Sequence, residues 1–170
     1  MINTIASRTL LLLGLLLCPI WAIAQPVSLS VAFEGVGDGD TIYVRDTDRQ
    51  ISYRVRFAMI DAPEKTQEYG PESKASLVQL LRGAGQLHLE VYSKDRYGRL
   101  VAIVKDERGR NINLLQVTQG AAWVYYRYAS APEYADMINA FSNAERNAQM
   151  RRMGLWSSPT PLEPWKFRRQ

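Results

Sequence analysis

Hydrophobic and polar positions alternate along the chain after residue 24, as they do in β-strands that bury one face. Val27 to Phe33, Thr41 to Arg45 and Ile51 to Ile60 each show this two-residue period. A cluster of turn-forming residues, Asp46 to Arg49, separates the second run from the third. The pattern therefore predicts a meander of three strands.

The hydrophobic period becomes helical after Pro71. Apolar residues recur near helical spacing within Glu72 to Arg82, and Gly83 ends the segment. The two-residue alternation then returns in Gln86 to Tyr92 and Arg99 to Lys105, which predicts a second hairpin.

The C-terminal half has two further helical patterns. Asn111 to Gln119 is a short helix candidate, and Ala121 to Tyr128 is aromatic and irregular. Pro132 opens the longest helical pattern, which Gly154 ends. We therefore expect an α+β fold rich in β-structure, a small five-stranded barrel with three helices packed outside it. Such barrels frequently bind nucleic acid or oligosaccharide on one face.

The first 24 residues have the pattern of a signal peptide. Arg8 precedes the apolar run Leu10 to Leu17, and Ala22-Ile23-Ala24 is a small-x-small cleavage pattern. The run is shorter than the about 20 residues of a membrane span, and Pro19 interrupts it. We expect an exported protein, periplasmic or extracellular, with no stable membrane association after cleavage. A retained anchor and lipidation at Cys18 remain as alternatives.

Cleavage after Ala24 would leave a chain of the length of one ordinary domain. We place that domain at residues 25–158 and a Pro-rich tail at residues 159–170. Cys18 is the only cysteine, so the mature chain would have no disulfide. The chain contains 21 Lys and Arg against 17 Asp and Glu, a mild basic excess that favours a polyanionic partner without establishing one.

Acidic residues lie at the ends of two predicted strands. Asp40 begins one and Asp61 ends another, so barrel closure could bring the two carboxylates together. Calcium binds six to eight oxygen ligands, usually carboxylates, backbone carbonyls and waters. Asp40, Asp61 and the carbonyl of Ala62 would supply half of such a shell. The alternative is that both aspartates only cap turns.

Glu64 and two arginines accompany these acids. A carboxylate beside a cation and a phosphate can orient a water molecule and accept its proton, so Glu64 is a candidate general base. Arg56 and Arg99 could bind one phosphate and stabilise the charge of its transition state. Arg56 lies five residues before Asp61, on the opposite face of the pleat unless a bend intervenes. It could instead form an ordinary ion pair with Asp61 or Glu64.

Aromatic residues could complete a nucleotide site. Tyr97, Tyr126 and Tyr128 offer hydroxyls and flat surfaces on which bases stack, although aromatic residues near a barrel are often part of the core. His88 is the only histidine and lies within a predicted strand, so we assign it a structural role. The tail, residues 159–170, contains Trp165 and the basic Lys166, Arg168 and Arg169, and it could extend the nucleic-acid surface or form a packed or frayed terminus.

The order and spacing of several segments resemble the thermonuclease family of staphylococcal nuclease-like domains. The resemblance extends from about Val31 to Trp156. One of these segments alone is a weak signal, but the ordered set is specific. The segments that carry it are Gly37-Asp38-Gly39-Asp40-Thr41, Arg56 through Glu64, Tyr69-Gly70, Asp95-Arg96-Tyr97-Gly98-Arg99, Gly120-Ala121-Ala122-Trp123 and Gly154-Leu155-Trp156.

The resemblance implies an OB-fold barrel that cleaves DNA and RNA with calcium and leaves 3′-phosphorylated products, and we expect a monomer. Ala62 departs from a threonine in the best-known member, a change that a backbone carbonyl ligand tolerates. By matching position, the resemblance assigns calcium ligation to Asp40, Asp61 and Ala62, catalysis to Arg56, Glu64 and Arg99, nucleotide binding to Arg96, Tyr97, Tyr126 and Tyr128, and support of the calcium shell to Asp38.

Two other classes of function compete with a nuclease. Domains of this family also serve as non-catalytic nucleic-acid-binding modules, but those typically lose the acids or arginines that this chain retains. A secreted interaction or structural domain could also use the same acids to bind calcium for stability alone. The sequence does not decide between DNA and RNA as the preferred substrate.

Overall fold

The alternating segments form a closed five-stranded barrel in a computed structural model, which describes residues 25–170. The predicted signal peptide and Cys18 lie outside the described residues. Two further short strands pair with each other beside the barrel. The strands are β1 (Val27–Asp38), β2 (Thr41–Asp46), β3 (Ile51–Phe57), β4 (Ile60–Asp61), β5 (Gln86–Lys94), β6 (Leu100–Asp106) and β7 (Trp123–Val124).

The barrel order is β1-β2-β3-β6-β5, and β1 closes it by pairing with both β2 and β5. β1 reaches two neighbours because it is twelve residues long and its register shifts twice along β2. The pairs are antiparallel except β3 with β6, which is parallel. This topology confirms the predicted five-stranded OB-fold barrel with helices outside it.

The helices differ in number and bounds from the prediction. We expected three helices, whereas residues 25–170 contain five α-helices. The longest begins at Ile138 and not at Pro132, because Pro132–Tyr134 forms a 3₁₀ turn whose i→i+3 hydrogen bonds redirect the chain first. The helices are α1 (Gly70–Leu80), α2 (Ile112–Thr118), α3 (Tyr126–Ala129), α4 (Ile138–Met150) and α5 (Pro164–Phe167).

The segment Ala121 to Tyr128, which the sequence left irregular, contains β7 and the start of α3. The predicted tail also has structure, because α5 lies within residues 159–170. None of the helices described between residues 25 and 170 has the length and apolar character needed to cross a membrane.

The core lies inside the barrel and between the barrel and the helices. Its apolar side chains, including Phe57 and Phe141, are almost completely buried. One buried polar side chain, Gln116 of α2, donates to the carbonyls of Gly39 at 2.7 Å and Ser73 at 3.2 Å. Because a buried amide needs such partners, Gln116 fixes α2 and α1 against the turn that precedes Asp40.

Candidate active site

A cavity of about 850 Å³ opens at one end of the barrel. Three of the segments that carry the family resemblance, Gly37 to Thr41, Arg56 through Glu64 and Asp95 to Arg99, contribute acids and arginines to this cavity. Tyr126 is the one predicted site residue that does not line it. The predicted residues that do are Asp38, Asp40, Arg56, Asp61, Ala62, Glu64, Arg96, Tyr97, Arg99 and Tyr128.

The β2–β3 pairing brings Asp40 to Arg56. Thr41 pairs with Arg56, so the residue before Thr41 lies beside the end of β3, and Phe57 N donates to Asp40 O at 2.8 Å. Arg56 Nη1 then lies 2.8 Å from Asp40 Oδ2. The backbone N–H of Ala62 donates to the same Oδ2 at 2.6 Å. Asp40 therefore links the start of β2 to the segment that follows β4.

A turn between β3 and β4 lets Arg56 and Asp61 point to the same side, although an uninterrupted strand would place them on opposite faces. Met59 has a φ of 69°, and Asn113 Nδ2 and Tyr125 N donate to the carbonyls of Ala58 and Met59 at 3.0 and 2.8 Å. Strand alternation does not extend through this turn. Asp61 therefore accepts a hydrogen bond from Arg56 Nη2 at 2.6 Å.

The two aspartates are deeply buried. The side chain of Asp40 is 8% exposed and that of Asp61 is 2% exposed. Burial raises the pKa of Asp40, and the nearby Arg56 opposes this shift. A cation bound to the carboxylate would oppose it as well. Asp38 Oδ1 accepts from Asp40 N at 3.2 Å, so Asp38 positions Asp40 through its backbone.

Glu64 is held in a short loop between β4 and α1. Its backbone N–H donates to Gln67 Oε1 at 3.1 Å, and its carbonyl accepts from Gln67 N at 2.9 Å. Gly70 permits this loop to close, because a Cβ at that position would lie 2.0 Å from the Glu64 carbonyl oxygen. The Glu64 side chain is 38% exposed and so reaches the solvent of the cavity.

The parallel pairing of β3 with β6 brings Arg99 to the same end of the barrel as Arg56. Val55 pairs with Leu100 and Arg56 with Val101, so Arg99, just before β6, lies two residues from the position that pairs with Arg56. Arg99 Nε donates to Asp95 Oδ2 at 2.7 Å, an ion pair within its own hairpin turn. Arg99 thus lines the cavity but is not hydrogen-bonded to Asp40, Asp61 or Glu64.

Tyr97 stands at the edge of the cavity between two arginines. It is 61% exposed, and its hydroxyl accepts from Arg96 Nη2 at 2.7 Å. The guanidinium carbons of Arg96 and Arg99 lie 4.8 and 5.6 Å from the centre of its ring. The three side chains form one basic and aromatic edge of the kind that binds nucleic-acid backbone and bases.

The tyrosines near α3 separate into two groups. Tyr125 and Tyr128 are one helical turn apart and line the cavity, with ring centroids 4.9 Å apart. Tyr126 is directed elsewhere, because its hydroxyl donates to Glu145 Oε2 at 2.9 Å. Its predicted role in nucleotide binding stays a prediction without support from the cavity. Helical spacing from Tyr128 is the sequence signal that would have selected Tyr125 instead.

The C-terminal tail adds residues to the cavity wall. Arg168 pairs with Asp61 and Glu64, and Trp165 stacks on Tyr125. Partial burial would lower the pKa of Arg168, but its hydrogen bonds to the two carboxylates raise the pKa above its ordinary value. The sequence raised the tail as a possible extension of the surface but could not place Arg168 at these acids.

The oxygen atoms around Arg56 suit a hard divalent cation. No group of three or more His, Cys, Asp or Glu side chains placed to hold a metal ion occurs within residues 25–170. Asp40 nevertheless contacts Nη1 of the Arg56 guanidinium and Asp61 contacts Nη2, so the two carboxylates lie close together. Two carboxylates, a neighbouring backbone carbonyl and water form a donor set that calcium or magnesium accepts.

Known proteins resemble this chain over most of its length. The family described as Staphylococcal nuclease homologue matches residues 54–158. An uncharacterized endonuclease of Haemophilus influenzae is 41% identical over 135 residues, which cover 79% of this chain and 70% of that protein. A micrococcal nuclease of Shigella flexneri is 39% identical over 142 residues, 78% of this chain and 76% of the relative.

The barrel, the acid and arginine cavity and these matches together define a staphylococcal nuclease-like phosphodiesterase. The chain belongs to the Staphylococcal nuclease homologue family. The predicted family resemblance and the predicted nuclease class are thereby confirmed, and nucleic acid is the substrate class.

Proposed function

We propose that the protein is an exported, calcium-dependent nuclease that hydrolyses phosphodiester bonds of both DNA and RNA, preferably single-stranded or frayed, and leaves 3′-phosphorylated products. The observation that supports this proposal most strongly is the meeting of Asp40, Asp61, Glu64, Arg56 and Arg99 at one cavity. These residues come from three segments that lie far apart in the sequence, and nothing in barrel packing requires such a concentration of charge.

Asp40, Asp61 and the carbonyl of Ala62 would hold the calcium ion, which would supply positive charge to the phosphate when bound. Arg56 and Arg99 bind the phosphate oxygens and stabilise the charge that develops during in-line attack. Arg56 pairs with two buried carboxylates and is 14% exposed, whereas Arg99 pairs only with Asp95 of its own hairpin turn and can leave it for the substrate.

Glu64 orients a water molecule and accepts its proton. Its loop fixes the backbone, while the exposed carboxylate can reach water in the cavity. The 5′-oxygen then leaves. A guanidinium hardly ever gives up its proton, so water is assigned to protonate this oxygen.

Tyr97, Arg96 and Tyr128 would bind the nucleotides beside the scissile bond through stacking and charge. Tyr97 and Tyr128 are 61% and 57% exposed, so their rings are accessible to bases. We further propose that the protein acts as a monomer, without stable membrane association.

A plasmid-nicking assay tests the proposal. The purified protein should cleave DNA with calcium and not with a chelator, and an end-labelled oligonucleotide should yield products whose 3′ ends a phosphatase shortens by one phosphate. Glu64→Gln or Arg99→Gln should lower turnover by about 100-fold or more. Near-native turnover of either variant would refute the assigned roles. Binding without cleavage would instead support a nucleic-acid-binding module, and a chelator-sensitive melting temperature alone would support a structural calcium site.

A further inference from the structure

The C-terminal arm, residues 159–170, brings a guanidinium to the centre of the cavity. Arg168 Nη2 donates to Asp61 Oδ2 at 2.7 Å. Its Nη1 donates to Glu64 Oε1 at 2.7 Å and to Asp61 Oδ1 at 3.3 Å. One side chain therefore spans the proposed calcium ligand and the proposed general base.

The arm is anchored by contacts that do not involve Arg168. The ring of Trp165 stacks on Tyr125 with centroids 4.8 Å apart and planes 4° apart, and meets Trp123 edge-on at 5.9 Å. The Leu162 carbonyl accepts from Gln67 Nε2 at 2.6 Å. Since α5 ends one residue before Arg168, this anchored turn would keep the guanidinium at the cavity even after its ion pairs open.

Both oxygens of Asp61 are already engaged by arginines. Oδ1 accepts from Arg56 and Oδ2 accepts from Arg168. A cation that coordinates Asp61 must compete for these oxygens, and the more exposed guanidinium is the easier one to displace. Arg168 is 41% exposed, whereas Arg56 is 14% exposed. The displaced guanidinium would keep its planar set of donors, which binds phosphate through two parallel hydrogen bonds.

We propose that Arg168 is a substrate-binding residue, a third active-site arginine that exchanges Asp61 and Glu64 for a phosphodiester when a divalent cation binds. This inference rests on the proposed function, because it requires a cation at Asp61 and a nucleic acid in the cavity. The same exchange frees the Glu64 carboxylate for water. In the absence of a cation and substrate, Arg168 thus neutralises the charge of Asp61 and Glu64. When both are bound, it contacts the phosphate instead.

Arg168→Gln tests the exchange, and Arg169→Gln is its matched control. Arg169 also lines the cavity but forms no ion pair among residues 25–170, so the control removes the same charge from the same wall without touching Asp61 or Glu64. Melting temperatures verify that both variants fold. Arg168→Lys is a third variant, which keeps the charge but loses the planar fork.

Calcium binding without nucleic acid is measured by titration calorimetry. Arg168→Gln should bind calcium about tenfold more tightly than Arg169→Gln, a factor equivalent to about 1.4 kcal/mol, because a competing cation has been removed. This measurement does not depend on turnover. Equal calcium affinities in the two variants would overturn the exchange.

Substrate binding is measured in calcium by fluorescence anisotropy, with a short single-stranded DNA whose phosphorothioate linkages resist cleavage. Arg168→Gln should bind about tenfold more weakly than Arg169→Gln, with Arg168→Lys between them. Equal affinities of the two glutamine variants would show that Arg168 only balances charge and would overturn its substrate role. A wild-type protein that neither binds calcium nor cleaves DNA would instead refute the proposed function itself.

Discussion

Arg56→Gln should destabilise the folded protein as well as impair its chemistry. The Arg56 guanidinium contacts Asp40 at 2.8 Å and Asp61 at 2.6 Å, and these carboxylates are 8% and 2% exposed. Removing one partner of a buried ion pair costs about 3–5 kcal/mol, because the remaining charge has lost its compensation. The lower value applies here, since Arg168 still pairs with Asp61 and Ala62 N still donates to Asp40.

A loss of about 3 kcal/mol corresponds to a fall in melting temperature of about 6–12 °C for a domain of this size. Calorimetry in a chelator measures it. Added calcium should reduce the difference in melting temperature between the variant and wild type, because a bound cation replaces the missing charge and stabilises only the folded state. Arg54→Gln is the control, because Arg54 is an exposed residue on the same face of β3 and its loss should change stability by less than about 0.5 kcal/mol. If Arg56→Gln and wild type had the same melting temperature in the chelator, the reasoning would be refuted.

Three further substitutions test other parts of the structure. Asn113→Leu leaves the Ala58 carbonyl without its side-chain donor and should cost about 2–4 kcal/mol in urea unfolding; a change within error would show that the turn is held by other contacts. Burial raises the pKa of Glu145, so its contribution to stability is complete below its ordinary pKa of 4.5 and is lost as pH rises through the folded pKa. The stability of wild type relative to Glu145→Gln should therefore fall from pH 4 upward, and a flat difference in urea unfolding would contradict this. Gly70→Ala should displace the Glu64 loop and lower kcat by about tenfold or more with little change in calorimetric calcium affinity, whereas unchanged kcat would show that the loop tolerates the displacement.

The two-residue period of the sequence predicted the five barrel strands, because a strand with one buried face has apolar residues at every second position. It placed the start of the last long helix too early, since Pro132 opens both helices and 3₁₀ turns and the sequence does not distinguish the two. It also missed α3 and α5, which are only four residues long and depend on tertiary contacts such as the stacking of Trp165 on Tyr125.

The site was predictable to the extent that its residues lie at strand ends. Asp40, Arg56 and Arg99 meet because strand pairing aligns those ends. The contact between Arg56 and Asp61 was not predictable from alternation, since it requires the positive φ of Met59. The position of Arg168 was less predictable still, because no periodic pattern connects the arm with Asp61.

The separation of Asp61 and Arg168 along the chain, 107 residues, has a consequence for when the nuclease can act. The entropy of closing so long a loop must be offset before this contact can form, and the folded barrel and helices hold the two residues together. A chain that is still being synthesised, or that is partly unfolded, therefore lacks the contact between Arg168 and Asp61, even when it already contains Asp40, Arg56, Asp61, Glu64 and Arg99.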